Sequence, residues 1–160
     1  MTSVLALDPG GTTGWALATR LAGTSEGWAF SSGQIGGGFD GAMTFLAPEG
    51  KVPWFDVTEV VIESFIINQA THKKDLTAAY EALDIIGGVR QICRWRQLRL
   101  VRQTPAQGKT FGTDEKLRRL GWYTPTEGGH ANDAARHLIT HLVGTLRDRD
   151  LATRLLQGAP

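Results

Sequence analysis

Residues 4–15 read Val-Leu-Ala-Leu-Asp-Pro-Gly-Gly-Thr-Thr-Gly-Trp. Four apolar residues predict a buried strand that runs straight into Asp8, and Pro9, Gly10 and Gly11 force a tight turn behind it. A carboxylate fixed at a strand end can hold a divalent cation, because rigid backbone positions it while the glycines leave room for a phosphate. Two more carboxylates are candidates to join it. Glu63 ends the apolar run Val60-Val61-Ile62, and Asp133 stands in His130-Ala131-Asn132-Asp133-Ala134-Ala135. Each also has a plainer reading. Asp8 can cap its own turn, Glu63 can be an exposed strand end, and Asp133 can favour a helix N-terminus through the dipole with Asn132 as the cap.

The elements that must position these acids follow from the pattern. Residues 3–8, 15–18 and 28–35 read as three strands separated by glycine-bearing turns, which predicts antiparallel pairing. Residues 39–47 suit a short helix, and 48–57, with Pro48, Gly50 and Pro53, a loop. Residues 58–63 form a fourth strand, able to run parallel to the first and deliver Glu63 to the same sheet edge as Asp8. A long helix over 72–95 carries Ala79, Ala82, Leu83, Ile86, Val89 and Cys93 at a 3.6-residue period. Gly87-Gly88 in its middle reads as a close packing point against the sheet or a kink. Leu98–Val101 is the fifth strand. Residues 113–120 make a short basic helix with Thr113 as cap. Residues 131–147 make the last helix, with Ala135, Leu138, Ile139, Leu142 and Leu146 on its apolar face. Strands first, then helix and strand in alternation, predict an α/β fold with a mixed five-stranded sheet flanked by helices. The 160 residues suit one domain over 1–150, followed by a loosely held tail over 151–160.

Bulk properties narrow the class. No apolar run approaches the length of a membrane span, and no basic segment followed by an apolar one marks a signal peptide. A lone Cys93 within a helical pattern suits a buried thiol in a reducing compartment, hence the cytoplasm. The net charge of +1 conceals an asymmetry: residues 1–71 sum to −5, residues 72–122 to +6 and the remainder to zero. An acidic site beside a basic surface suits a polyanion whose phosphate reacts; scattered charge on solvated helices is the bland alternative. Arg90, Arg94, Arg96, Arg99 and Arg102, with Trp95 among them, cluster around the end of the long helix and the start of the fifth strand.

The layout, with acids in these places, resembles the ribonuclease H-like superfamily, and more narrowly the RuvC-type Holliday junction resolvases, including the resolvase-like proteins of bacteriophages. Leu7-Asp8-Pro9-Gly10 with Thr13-Gly14-Trp15 matches the opening motif, Val61-Ile62-Glu63 the second acidic strand, and His130-Ala131-Asn132-Asp133-Ala134 the closing motif. The resemblance implies that Asp8, Glu63 and Asp133 are metal ligands, with His130 as the fourth member of the site. It places Gln103–Lys109 and Lys116 where the family has a basic segment near the scissile DNA, and offers Phe65 as the nearest counterpart of an aromatic wedge. Arg102 and Arg118 complete the expected DNA contacts. The basic segment is not a close match to the family.

Phosphodiester hydrolysis by this set would use two Mg²⁺ ions, with Mn²⁺ as a substitute, to activate water and neutralise charge at phosphorus. Asp8 would bridge the ions, Glu63 would hold one, and Asp133 with His130 the other; His130 can also act as a proton shuttle. The expected substrate is a four-way junction or other branched DNA, cut by a homodimer whose symmetry matches the junction, in the cytoplasm of a bacterium or a phage-infected host. Four other readings stand beside it. One is a nuclease of the same fold acting on RNA or general branched DNA, and another a non-catalytic DNA-binding module. A third is an ATP-dependent kinase or actin-like fold, which needs two such domains. The last is a zinc site at His130, Asp133 and His137. The face of the last helix that carries Asp133, His130, His137 and Thr140 is either plain solvent face or a groove facing the site. His72 and His141 read as ordinary surface residues.

Overall fold

The computed structural model describes residues 2–21, 27–65 and 76–157. The sheet has five strands: β1 (Thr2–Asp8), β2 (Thr13–Arg20), β3 (Trp28–Ile35), β4 (Val57–Glu63) and β5 (Arg99–Gln103), in the order β3-β2-β1-β4-β5. β1, β2 and β3 pair antiparallel, while β4 runs parallel to β1 and β5 parallel to β4, as the sequence predicts. The helices are α1 (Gly38–Leu46), α2 (Leu76–Arg96), α3 (Pro105–Phe111), α4 (Asp114–Leu120), α5 (His130–Thr140) and α6 (Arg149–Gln157), with a π turn at His141–Thr145. No helix among the described residues is long and apolar enough to cross a membrane.

Both faces of the sheet are covered, so the central strands alternate between two apolar cores. On β1, Val4 and Ala6 enter the core shared with α4, α5 and α6, while Leu5 and Leu7 enter the core shared with α1 and α2. Val61 and Val101 point to the first core, and Val60, Ile62 and Leu100 to the second. Side chains alternate along a strand, so the polar residues in phase with Val4, Val61 and Val101 share the α5 side. These are Asp8, Glu59, Glu63, Arg99 and Gln103. β1, β4 and β5 are mutually parallel, so Asp8, Glu63 and Gln103 all lie at carboxyl strand ends on one edge of the sheet.

Several expectations need correction. Residues 149–157 form a helix, not a loose tail, with Leu151 and Leu155 buried in the α5-side core. Its start is anchored by Asp148, whose carboxylate accepts hydrogen bonds from Trp28 Nε1 (3.0 Å), Arg20 (2.9 Å) and the Leu151 amide (2.9 Å). The last helix does not run regularly to 147. It widens into the π turn, where the Leu146 amide bonds the His141 carbonyl five residues back, and Leu146 falls off the apolar face into solvent. Residues 105–111 form a helix within the expected basic segment, begun by a reciprocal Thr104–Gln107 capping box. Gly88 is a close packing point, but against α1: a Cβ there would meet Met43 Sδ at 2.7 Å, while Gly87 faces open space. His141 is fully buried rather than superficial, and its Nε2 hydrogen-bonds Glu59 at 2.9 Å. Burial lowers the His141 pKa, with Glu59 opposing that trend. His72 and the start of the long helix at 72–75 lie outside the described residues. Cys93 is buried on α2, and burial pushes its thiol up to about 11.

Candidate active site

Asp8 leaves β1 almost fully buried at the turn that Pro9, Gly10 and Gly11 begin. Thr13 closes this turn by donating its hydroxyl to the Gly10 carbonyl (3.2 Å). The first turn of α5 reaches the same place because β2 has no side chain at Gly14. A Cβ there would lie 1.9 Å from the His130 carbonyl oxygen, so only glycine admits the helix. Gly129, in the left-handed conformation, starts α5 and turns His130 back toward the strand. His130 Nδ1 then donates to Asp8 Oδ2 at 3.0 Å.

The Asp8 carboxyl is raised to about 6. Burial is the largest cause, the Glu63 and Asp133 carboxylates add to it, and the His130 hydrogen bond opposes it. Asp8 therefore feels both other acids named by the sequence. Neither is idle. Asp133 pairs with Arg136 one turn along α5, and Arg136 also bonds Asp114 on α4. Burial would lower the Arg136 pKa, but its two carboxylate partners outweigh burial and hold it cationic. Glu63 Oε2 accepts from His137 Nε2 at 2.7 Å, and the other ring nitrogen of His137 meets Gln103 Oε1 at 2.8 Å.

Three carboxylates acting on one another are a donor set for hard cations, and the raised Asp8 is the strain a bound cation would relieve. Among the described residues, however, no three acidic, histidine or cysteine side chains are drawn together tightly enough to hold one ion. Arg136 and His137 occupy Asp133 and Glu63. In donor chemistry, Asp8, Glu63 and Asp133 supply the oxygens that a Mg²⁺-type cation takes, whereas His130, Asp133 and His137 form no zinc cluster among the described residues.

The expected DNA contacts are dispersed. Lys109 is exposed on the last turn of α3 and Arg118 on α4, where it stacks 4.0 Å over Tyr123. Lys116 is turned inward, donating to the Phe111 carbonyl (2.7 Å) and lying over the Phe111 ring. Arg102 is exposed, on the α2 side of β5, opposite in phase to Gln103. Phe65 is half-buried against the α2-side core. Of the upstream arginines, Arg99 pairs with Glu59 and Arg96 stacks over Trp54.

Sequence reasoning missed Arg136, Gln103 as a side chain of the site, and His137 as a buried partner of Glu63. A signal existed in the spacing. His137 and His141 are four apart on one helix, Glu59 and Glu63 four apart on one strand, and the two pairs meet.

No protein-family model and no curated protein matches the sequence. Solved structures do. Thermus thermophilus RuvC in complex with a Holliday junction substrate superposes with a TM-score of 0.60 at 14% identity, over 92% of this chain and 97% of that one. A second structure of Thermus thermophilus RuvC gives a TM-score of 0.58 at 14% identity, over 99% of both chains. With the strand order, the two-sided helical cover and the acids at one edge, these likenesses identify the chain's architecture as a RuvC-type, ribonuclease H-like fold.

Proposed function

We propose that this chain is a metal-dependent endonuclease that hydrolyses phosphodiester bonds in branched DNA, with the four-way junction as its substrate. The observation that carries the reading is Asp8. A nearly buried carboxyl at a strand end, raised to about 6 with Glu63 and Asp133 contributing, is a poor structural choice and a good cation ligand. Asp8, Glu63 and Asp133 would hold Mg²⁺, or Mn²⁺ in its place, with His130 beside them. Two such ions, when bound, supply an activated water and neutralise charge at phosphorus. The chain's own groups do the rest. Gly14 admits α5 so that His130 can orient Asp8. The exposed Lys109, Arg118 and Arg102 would contact the DNA backbone, and Phe65 would need to leave its half-buried position to act as a wedge.

A junction has two-fold symmetry, so the active form would be a homodimer. The long helix α2 is the proposed contact. It exposes Tyr80 and Trp95, and with α1 it borders an apolar groove of about 480 Å³ lined by Met43, Leu46, Ile92 and Trp95. The nuclease domain would run past residue 150, because α6 packs on the same core. The cellular setting would be bacterial or phage-infected cytoplasm.

The test is a cleavage assay with Mg²⁺ on a labelled four-way junction, a flap, linear duplex and an RNA–DNA hybrid. Asp8→Asn serves as control. Paired symmetric nicks in the junction that vanish in the variant are expected, with DNA binding retained. Cleavage of flap or hybrid instead would move the substrate and keep the chemistry. A second reading, a DNA-binding module that does not cleave, is favoured by the Arg136 ion pair on Asp133. Binding without cleavage of any substrate would establish it.

A further inference from the structure

We infer that His137 is a positioning residue for Glu63, locking its carboxylate in the orientation that metal binding needs. The inference rests on the proposed role of Glu63 as a metal ligand. Four observations on one side chain carry it. His137 is 1% exposed, so its two ring nitrogens have no water to satisfy them and must find protein partners. They find one each, Glu63 Oε2 at 2.7 Å and Gln103 Oε1 at 2.8 Å. A carboxylate only accepts, so Nε2 carries the proton toward Glu63. Whichever end of the Gln103 amide faces Nδ1, the ring stays in the same plane.

The Gln103 main chain is itself fixed. Its carbonyl accepts from the Ser64 amide at 2.7 Å, so the residue after Glu63 and the residue that orients His137 are tied together. Finally, α3 closes over the ring where it has no side chain. A Cβ at Gly108 would lie 2.6 Å from His137 Cε1, so this helix presses backbone directly on the imidazole. The ring is thus held in its plane by Gln103, from above by α3, and from behind by its own helix α5. Of its two ring nitrogens, Nδ1 faces Gln103 and Nε2 presents the N–H that Glu63 accepts. The second oxygen of Glu63 is left without a bond to His137. A ligand carboxylate pinned through one oxygen loses less freedom on binding a cation than a free one.

The experiment uses the full chain and Mn²⁺ alone, followed by the loss of free Mn²⁺ signal in electron paramagnetic resonance. Glu63→Gln, His137→Phe and His137→Gln are compared after thermal melts establish that each is folded. Phenylalanine keeps the ring without the donor, and glutamine restores an N–H donor near the Nε2 position. His137→Phe should raise the dissociation constant for Mn²⁺ by about 10- to 100-fold, and His137→Gln should recover most of the loss. Gln103→Leu, which leaves His137 in place but unoriented, should weaken binding in the same direction and stands in if His137→Phe does not fold. Wild-type Mn²⁺ affinity in a folded His137→Phe or Gln103→Leu protein, alongside weakened binding in Glu63→Gln, overturns the positioning role alone. Wild-type affinity in Glu63→Gln overturns the ligand role of Glu63 and the inference with it.

Discussion

Arg136 pairs with Asp133 from one turn along the same helix while its other nitrogen reaches Asp114 on α4. The guanidinium thereby covers a carboxylate that the proposed chemistry needs bare. In the proposed metal site it would compete with the cation for Asp133, while His137 holds Glu63.

Removing that competitor should favour the metal. Arg136→Gln is expected to lower the half-saturating Mn²⁺ concentration by about fivefold, equivalent to roughly 1 kcal/mol for a partly exposed ion pair. The metal-free variant should also melt earlier, because α4 loses its tie to α5. Titration calorimetry with Mn²⁺ decides the matter; unchanged or weaker binding would mean that Arg136 does not restrain Asp133.

The raised Asp8 carboxyl sets a pH dependence of stability. The folded protein holds this proton up to about 6, against 3.8 for the ordinary side chain, so the folded state binds it more tightly than the unfolded one. The stabilisation is fully present below about pH 4, is lost as pH rises to about 6, and is absent at neutrality. Asp8→Asn should therefore be more stable than wild type at pH 7.5, by up to about 3 kcal/mol, with the difference vanishing near pH 4. Urea midpoints of both proteins at the two pH values test this. Equal midpoints at neutral pH would show that ionised Asp8 is not under strain.

Asp148 behaves in the opposite sense. Burial alone would raise it, but the Leu151 amide, the Trp28 indole and the Arg20 guanidinium outweigh burial and hold it below the usual carboxylate value. Its stabilisation is present above about pH 4 and is lost as pH falls through the lowered value. Asp148→Ala removes the anchor of α6 and strands the Trp28 N–H, at a cost of about 2–4 kcal/mol. A thermal melt at pH 7 that matches wild type would refute the anchor.

Gly14→Ala should be among the most damaging substitutions. Its methyl group would meet the His130 carbonyl at 1.9 Å, a backbone atom that cannot step aside without moving α5. A loss of about 3 kcal/mol or more is expected, together with loss of Mn²⁺ binding. A variant that melts within about two degrees of wild type would show that the helix start has room to shift.

Much of this arrangement was legible in the chain because strand ends are. Val-Leu-Ala-Leu before Asp8 and Val-Val-Ile before Glu63 announce buried strands that stop at acids, and parallel pairing puts both at one edge. The closing histidine and aspartate were readable from their motif. What the sequence concealed was burial on the second face of α5. His137 and Asp133 share a helical face, and a polar helical face reads as solvated when nothing in the one-dimensional pattern says what covers it. Here α3 and β5 cover it. The cover was hidden in turn, because a Pro-led seven-residue helix is too short to show periodicity, although Thr104 and Gln107 carry its capping box. α6 was missed for the same reason, its apolar face resting on two leucines, Leu151 and Leu155.

Asp8 and His130 meet across 122 residues of chain. A ribosome delivers the first long before the second, at roughly 5–20 residues per second, so some 6–24 seconds separate the two during synthesis. In that interval the β1–β2 hairpin can already form from neighbouring residues, but α5, which supplies His130, Asp133 and His137, does not yet exist. No growing fragment short of α5 can carry the assembled site. A nascent chain that has not yet reached α5 therefore lacks His130, Asp133 and His137 together, and the contact on Asp8 forms only after the hairpin that carries Asp8 is in place.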